Sequence, residues 1–160
     1  MLVAVGMRKR VIHWFRRDLR VTDNIALYSA SREAAEIVPA YILSTWKGHH
    51  HWTGPNRQRF LCGCLASVAN NLEHLGGRLI LRSGPPAEEL VKLALESGAQ
   101  TIYFNQNYGP YDVQIEQHIR QRARGAGIEV RAFKDTLILA PEEALRLPIQ
   151  VHRQNQQANL

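Results

Sequence analysis

Cysteine is nearly absent from this 160-residue chain: only Cys62 and Cys64 occur, one residue apart. On a helix that spacing sets them about 200° apart around the axis, too far round for a disulfide or a shared metal. They read as small helix residues. The chain has no G-x-G-x-x-G and no G-x-x-x-x-G-K-[ST] segment, which argues against a dinucleotide-dependent dehydrogenase or a P-loop NTPase. No apolar run approaches the roughly 20 residues of a membrane span, so no membrane partner is expected. The apolar opening, residues 1–7, is too short for a signal peptide, and its charges follow the apolar part. It reads as most of an N-terminal extension over residues 1–10, and the cytoplasm is the expected location. No nucleophile–base pair or carboxylate pair stands out, so no catalytic residue is assigned. His49, His50 and His51 precede Trp52 with no carboxylate or cysteine nearby to complete a metal site. No internal repeat is present, and no residue pattern sets an oligomeric state.

What the chain does have is enough apolar content for one core, 45% of its residues. Its net charge of +6 would suit a polyanion. The basic residues are scattered, however, and many suit solvated helix faces. Hydrophobic pattern and punctuation alternate strand with helix. Strands are expected at 11–15, 37–43, 78–82, 101–105 and 128–133, with Pro39 near the start or on an edge of the second. Helices are expected at 24–35, 56–75, from Pro86 to a stop at Gly98, and 111–125. In the second helix Leu61, Leu65, Val68, Leu72 and Leu75 form one stripe, which Gly76 and Gly77 end. This pattern implies an α/β fold: a doubly wound, five-stranded parallel sheet with helices on both faces, Rossmann-like. Strand order is not fixed by the pattern. An order of 3-2-1-4-5 would place the loops after strands one and four on one crevice. Beyond Asp135 the pattern fades into a short strand at 137–139, a helical turn at 141–147 and a polar, poorly packed tail.

Three motifs have both a chemical and a structural reading. Arg16, Arg17, Asp18 and Arg20 follow the first strand. Arginine forks suit phosphate or carboxylate ligands, with Asp18 able to orient one of them. The same residues also suit an internal ion-pair cluster holding the loop to the first helix. Asp23 or Asn24 can cap that helix. Arg57 lies in the first turn of the second helix, where a cation opposes the dipole unless an anion compensates. The run Asn105-Gln106-Asn107-Tyr108-Gly109-Pro110-Tyr111-Asp112 could wall a planar heterocycle, or simply form a turn. His13, inside the first strand, reads as a core or sheet-face residue.

The segment from Val11 through Arg16-Arg17-Asp18-Leu19-Arg20 to Asp23-Asn24 closely resembles the start of DNA photolyases and cryptochromes. The resemblance extends over about residues 11–141: Arg57 and Phe60-Leu61, Gly76, Gly84-Pro85, Ile102-Tyr103-Phe104-Asn105, Tyr108, Pro110-Tyr111, Asp135 and the stretch 137–141 occur in the family's order. It implies an N-terminal domain that contributes a crevice for a light-harvesting chromophore: a folate, a deazaflavin or FMN. It further implies that FAD and the DNA lesion bind in a larger helical domain missing from this chain. The expected partner is that FAD-binding domain, or a separate chain carrying it, with DNA met only indirectly and no catalysis by this chain alone. The residues carried over as cofactor-binding are Phe15, Arg16, Arg57, Asn105, Asn107, Tyr111 and Asp112.

The chain also departs from the family. Tyr111-Asp112 stands where folate-binding members have Asn-Glu. Asn107 stands where deazaflavin-binding members have an acid. Val113, Gln114, Ile115 and Glu116 replace an Arg-x-Arg-Asp pattern, and residues 142–160 form a divergent tail. The alternative expectation is a stand-alone nucleotide-binding or protein-interaction module of similar fold.

Overall fold

The computed structural model describes residues 8–43 and 54–135. Nine elements alternate along the chain: β1 (Arg8–Phe15), α1 (Ile25–Glu33), β2 (Ala34–Leu43), α2 (Pro55–His74), β3 (Ile80–Ser83), α3 (Pro86–Ser97), β4 (Thr101–Asn105), α4 (Pro110–Gly125) and β5 (Glu129–Phe133). The five strands form one sheet in the order β3-β2-β1-β4-β5, and every pairing is parallel. The expected doubly wound α/β architecture is therefore present, with β1 and β4 adjacent at its centre.

Period-two alternation in β1 assigns the two faces. Ile12 and Trp14 join Ile102, Phe104, Leu90, Leu93, Ile119 and Ala123 beneath α3 and α4. Val11 joins Ala30 of α1 and Tyr103, while Phe15 packs with Val68 and Leu72 of α2. Because both faces are covered, residues 11–15 of β1 and all of β4 are buried at successive positions, with His13, Thr101 and Asn105 the polar members.

Several boundaries differ from the expected ones for identifiable reasons. β1 begins at Arg8, inside the expected extension, because Arg8 pairs with Ala34. α1 ends at Glu33 and β2 starts at once, since Ala34 is already extended (φ −124°, ψ 146°). Leu75 is not part of the α2 stripe: the helix stops at His74 and leaves Leu75 73% exposed. Gly76, at φ 77°, and Gly77 then take the last carbonyls, with Gly77 N–H donating to Leu72 O. Pro39 lies not at the start of β2 but mid-strand, in register with His13, at the limit of the pairing between β2 and β3. Gly84 N–H donates to Leu43 O, so Leu43, Tyr41 and Pro39 turn their main-chain groups toward β3. Pairing with β3 begins only at Ala40. The absent N–H of Pro39 thus faces a position β3 has not reached. The loop with His49, His50 and His51, residues 1–7 of the extension, the segments at 137–139 and 141–147 and the tail lie outside the described residues.

His13 lies on the α1/α2 face, completely buried, edge-on to Phe15 with ring centroids 4.4 Å apart. Neither ring nitrogen has a hydrogen-bond partner among the described residues. Burial pushes its pKa from 6.5 down to about 4, with the Asp18 carboxylate pulling the other way. Between those values the unfolded chain binds the proton and the folded protein does not. Stability present above pH 6.5 is therefore lost as pH falls toward 4, by roughly 3 kcal/mol. His13→Leu should flatten that part of the profile in urea unfolding at pH 7.5, 6, 5 and 4.5. An unchanged slope in the variant would assign the acid sensitivity to other groups.

Candidate functional site

β1 and β4 are neighbours whose connections leave in opposite directions, β1 toward β2 and β4 toward β5. Their C-terminal ends form the switch point at which open α/β sheets bind ligands. Two loops meet there: residues 16–24 after Phe15 and residues 106–109 after Asn105.

The Arg16 side chain is only 5% exposed. Its Nη2 donates to Asp112 Oδ1 at 2.9 Å and its Nη1 to Glu116 Oε1 at 2.6 Å, with a longer contact to the Asn105 carbonyl at 3.4 Å. Its guanidinium carbon lies 4.7 Å from the Trp14 ring centre and 5.6 Å from that of Phe104. Asp112 and Glu116 are four residues apart, hence on one face of α4. Asp112 Oδ2 accepts a further bond from Arg17 Nη2 at 2.9 Å, although the Arg17 side chain is 75% exposed. The Asp112 carboxylate folds back over the helix start, where negative charge is favoured. A Cβ at Gly109 would come within 2.8 Å of its Oδ2, so glycine there leaves room for the carboxylate.

A second set of bonds joins the same loops on the α1 side. Asp18 Oδ1 accepts from the Arg16 N–H at 2.9 Å; its Oδ2 accepts from Asn24 Nδ2 at 3.2 Å and Asn105 Nδ2 at 2.7 Å. Asn105 Nδ2 also donates to Asn24 Oδ1 at 2.9 Å, and Asn105 Oδ1 accepts from the Ala26 N–H at 3.0 Å. Asn24 Oδ1 caps α1 by accepting from the Leu27 N–H at 3.0 Å. Arg20 donates to Asp23 O at 2.8 Å and pairs with the buried Asp135 at 2.5 Å.

Arg16 and Arg20 do form internal ion pairs, but with Asp112 and Glu116 of α4 and with Asp135, not with the first helix as expected. Asp18 does not orient an arginine side chain: it holds two asparagines and the Arg16 main-chain N–H, while Asp112 and Glu116 hold the guanidinium. Of the expected site residues, Arg16, Asn105, Asn107 and Asp112 come together at the switch point. Phe15 is fully buried against α2. Arg57 is exposed in the first turn of α2, the helix on the other face from α4. Tyr111, 44% exposed, lines a groove of about 760 Å³ between α3 and α4 with Pro85 and His118. Asn107 lies in the β4–α4 loop. Its N–H makes a long contact of 3.4 Å to Glu116 Oε1, and its Nδ2 is buried with no partner among the described residues.

Glu116, Trp14 and Gly109 were not among the expected site residues. The four-residue spacing of Asp112 and Glu116 was the available signal for a shared cation. Among the described residues, no group of three or more His, Cys, Asp or Glu could hold a metal ion.

Comparison with known proteins agrees with this geometry. A family model described as DNA photolyase matches residues 11–154. The deoxyribodipyrimidine photo-lyase of Agrobacterium fabrum is 36% identical over 131 residues, covering 82% of this chain and 27% of that protein. Cryptochrome-2 of Gallus gallus is 37% identical over 121 residues, covering 76% and 21%. Among solved structures, a bacterial class III photolyase from Agrobacterium tumefaciens superimposes with a TM-score of 0.78 at 34% identity, covering 89% of this chain and 28% of that one. An archaeal photolyase from Sulfolobus tokodaii, solved with two FAD molecules, gives 0.75 at 26% identity, covering 82% and 30%. The chain thus spans less than a third of the length of these relatives.

Removing Arg16 takes from Glu116 its cationic partner among the described residues and leaves the buried Asp112 with the exposed Arg17 alone. Arg16→Met should lower the unfolding free energy by about 3–5 kcal/mol, whereas Arg17→Ala, at an exposed pair, should change it by less than about 1 kcal/mol. Equilibrium urea unfolding of both variants measures the contrast. Equal, small losses would show that Arg16 is not the tie between β1 and α4.

Proposed function

Because the chain belongs to the DNA photolyase family, matching the N-terminal α/β domain of photolyases and cryptochromes, we propose that it provides the crevice for a light-harvesting chromophore and does not repair DNA by itself. Members of this family bind a flavin and a second chromophore, and the Sulfolobus tokodaii photolyase carries two FAD molecules. The observation that carries the reading is Asn107 Nδ2 in the half-buried loop after β4, an enclosed donor atom with no partner among the described residues. Such a group is costly to leave unpaired, and a planar ligand carbonyl or ring nitrogen would satisfy it. Around it, Arg16, Asp18, Asn105, Asp112 and Glu116 hold the loop ends rigid. Arg57 sits at the N-terminus of α2, on the same edge of the sheet as the loop after β4.

When bound, the chromophore would absorb light and pass the excitation to a catalytic flavin. Asn107 would orient its ring, Arg57 would meet an anionic group, and the Arg16 network would keep both loops in place. The catalytic FAD, lesion splitting and DNA contact belong in this reading to a helical domain, on the same chain or another. The cytoplasm is the proposed location; among the described residues no helix is long and apolar enough to cross a membrane.

The purified chain, incubated with FMN, a 5-deazaflavin or a methenyl-tetrahydrofolate and then desalted, should retain one of them. The sign is an absorption band beyond that of its aromatic side chains. It should show no light-dependent splitting of pyrimidine dimers with FAD alone. Failure to retain any of the three would overturn the chromophore reading, and robust repair would overturn the claim that it is inactive alone.

A further inference from the structure

β5 is the last strand of the sheet, and no strand pairs with its outer side among the described residues. Two bonds to its inner neighbourhood fix how its main chain is turned. Glu129 N–H donates to Gln100 O, and Gln106 N–H donates to Phe133 O, so Glu129, Arg131 and Phe133 turn their main-chain groups toward β4. Successive residues of a strand alternate in this respect. Val130 and Ala132 therefore each present an N–H and a C=O to the outside, while their side chains pack on the α4 face with Ile128. β5 contains neither proline nor glycine, so nothing in the strand itself interrupts pairing along this edge.

Alongside the edge, α4 carries Arg120 and Arg124, both exposed and four residues apart, hence on one face. With Gln121, Ile128 and Val130 they line a groove of about 440 Å³. Arg120 reaches the strand itself, its Nη1 making a long contact of 3.4 Å to Val130 O. Neither arginine forms an ion pair among the described residues, whereas Arg122 between them is held by Glu88 at 2.8 Å. No acidic residue lies in the sequence between Glu116 and Glu129.

A backbone laid along β5 would pair with the main-chain groups of Val130 and Ala132. On one face of such a strand, side chains recur every second residue, about 6.6 Å. Arg120 and Arg124 are spaced about 6 Å along the helix axis. Carboxylates at two alternate positions of the added strand would thus each meet one guanidinium. We propose that the outer edge of β5 binds, by strand addition, an extended segment of another protein with acidic residues at alternate positions facing α4. A nucleic-acid strand offers no matching main-chain ladder, and the groove has no aromatic side chain on which a base could stack. A second copy is opposed by charge: two β5 edges paired about a two-fold axis would set Arg120 and Arg124 against their own copies. The surface lies two turns down α4 from Asp112, and it is independent of the chromophore reading.

The test titrates the full chain against a fluorescein-labelled, end-blocked peptide, Thr-Glu-Val-Glu-Val-Glu-Thr, and its counterpart with lysine for glutamate, read by fluorescence anisotropy. The acidic peptide should bind about tenfold or more tightly, the size expected for two charge-assisted hydrogen bonds at a solvated edge. Joint Arg120→Glu and Arg124→Glu substitution, at exposed positions, should reverse the preference. Ala132→Pro removes an outward N–H that the native sheet does not use, and should weaken acidic-peptide binding about fivefold or more with no change of charge. If that variant loses its fold by circular dichroism, proline in place of the peptide's central glutamate-flanking valines tests the ladder without altering the chain. No binding of the acidic peptide, or equal binding of both peptides, overturns the proposal. Acidic binding that survives proline in the ladder does so too, since charge alone then accounts for it. A thymidine oligonucleotide that binds more tightly than the peptide through the same arginines, or a dimer in sedimentation that Ala132→Pro dissolves, gives the edge to a different occupant and likewise overturns it.

Discussion

The guanidinium of Arg16, enclosed by two carboxylates and two aromatic rings, is the contact on which the C-terminal edge of this sheet depends. A buried cation is costly to desolvate, and that cost is offset only where geometry is good and the remaining N–H groups find acceptors. Three contacts of the guanidinium meet acceptors here. Asp112 and Glu116 reach from successive turns of α4, and the Asn105 carbonyl lies close by. The orientation of α4 against β1, and with it the path of residues 106–109, follows from two ion pairs, not from apolar packing alone. Asp18 completes the arrangement by fixing the main chain of Arg16 itself.

The two halves of the network do different work. Arg16, Asp112 and Glu116 bind the loop after β1 to the α4 face. Asp18, Asn24 and Asn105 bind it to α1 on the other. Asn105, the last residue of β4, takes part in both, through its carbonyl on one side and its amide on the other. The ends of β1 and β4 are held in register beyond their last direct pairing at His13 and Tyr103, where the strands diverge. The result is a polar wall, tied on both sides by side-chain hydrogen bonds, at the point where the strands diverge.

Much of the fold was legible in the chain because its signals are local. Apolar runs of four to six residues, the Leu65–Val68–Leu72 spacing and the glycines after α2 and α3 mark elements within a few residues of their true ends. Ala34 escaped notice because its strand conformation is imposed by pairing with Arg8, a contact no local pattern encodes. The motif from Arg16 to Asn24 identified the family yet admitted two chemical readings, since its partners Asp112, Glu116 and Asp135 lie about a hundred residues away in sequence. Ion pairs of that range leave no periodicity. Phe15, Arg57 and Tyr111 were grouped with the network by family position; the structure separates them onto opposite faces of the sheet and into the α3–α4 groove.

Pro39 has a consequence for how the chain avoids other copies of itself. β3 is four residues long and meets only the upper part of β2, so the lower part of β2 presents a strand edge to its surroundings on that side. An unprotected edge of this kind recruits strands from neighbouring molecules, most readily while folding is incomplete. At Pro39 the edge carries a ring in place of a donor, which interrupts the ladder an intruding strand would need. Pro39 is itself buried in the folded chain, so such an interruption would act while the sheet is incomplete, on the one side of β2 where a proline costs the native sheet no hydrogen bond.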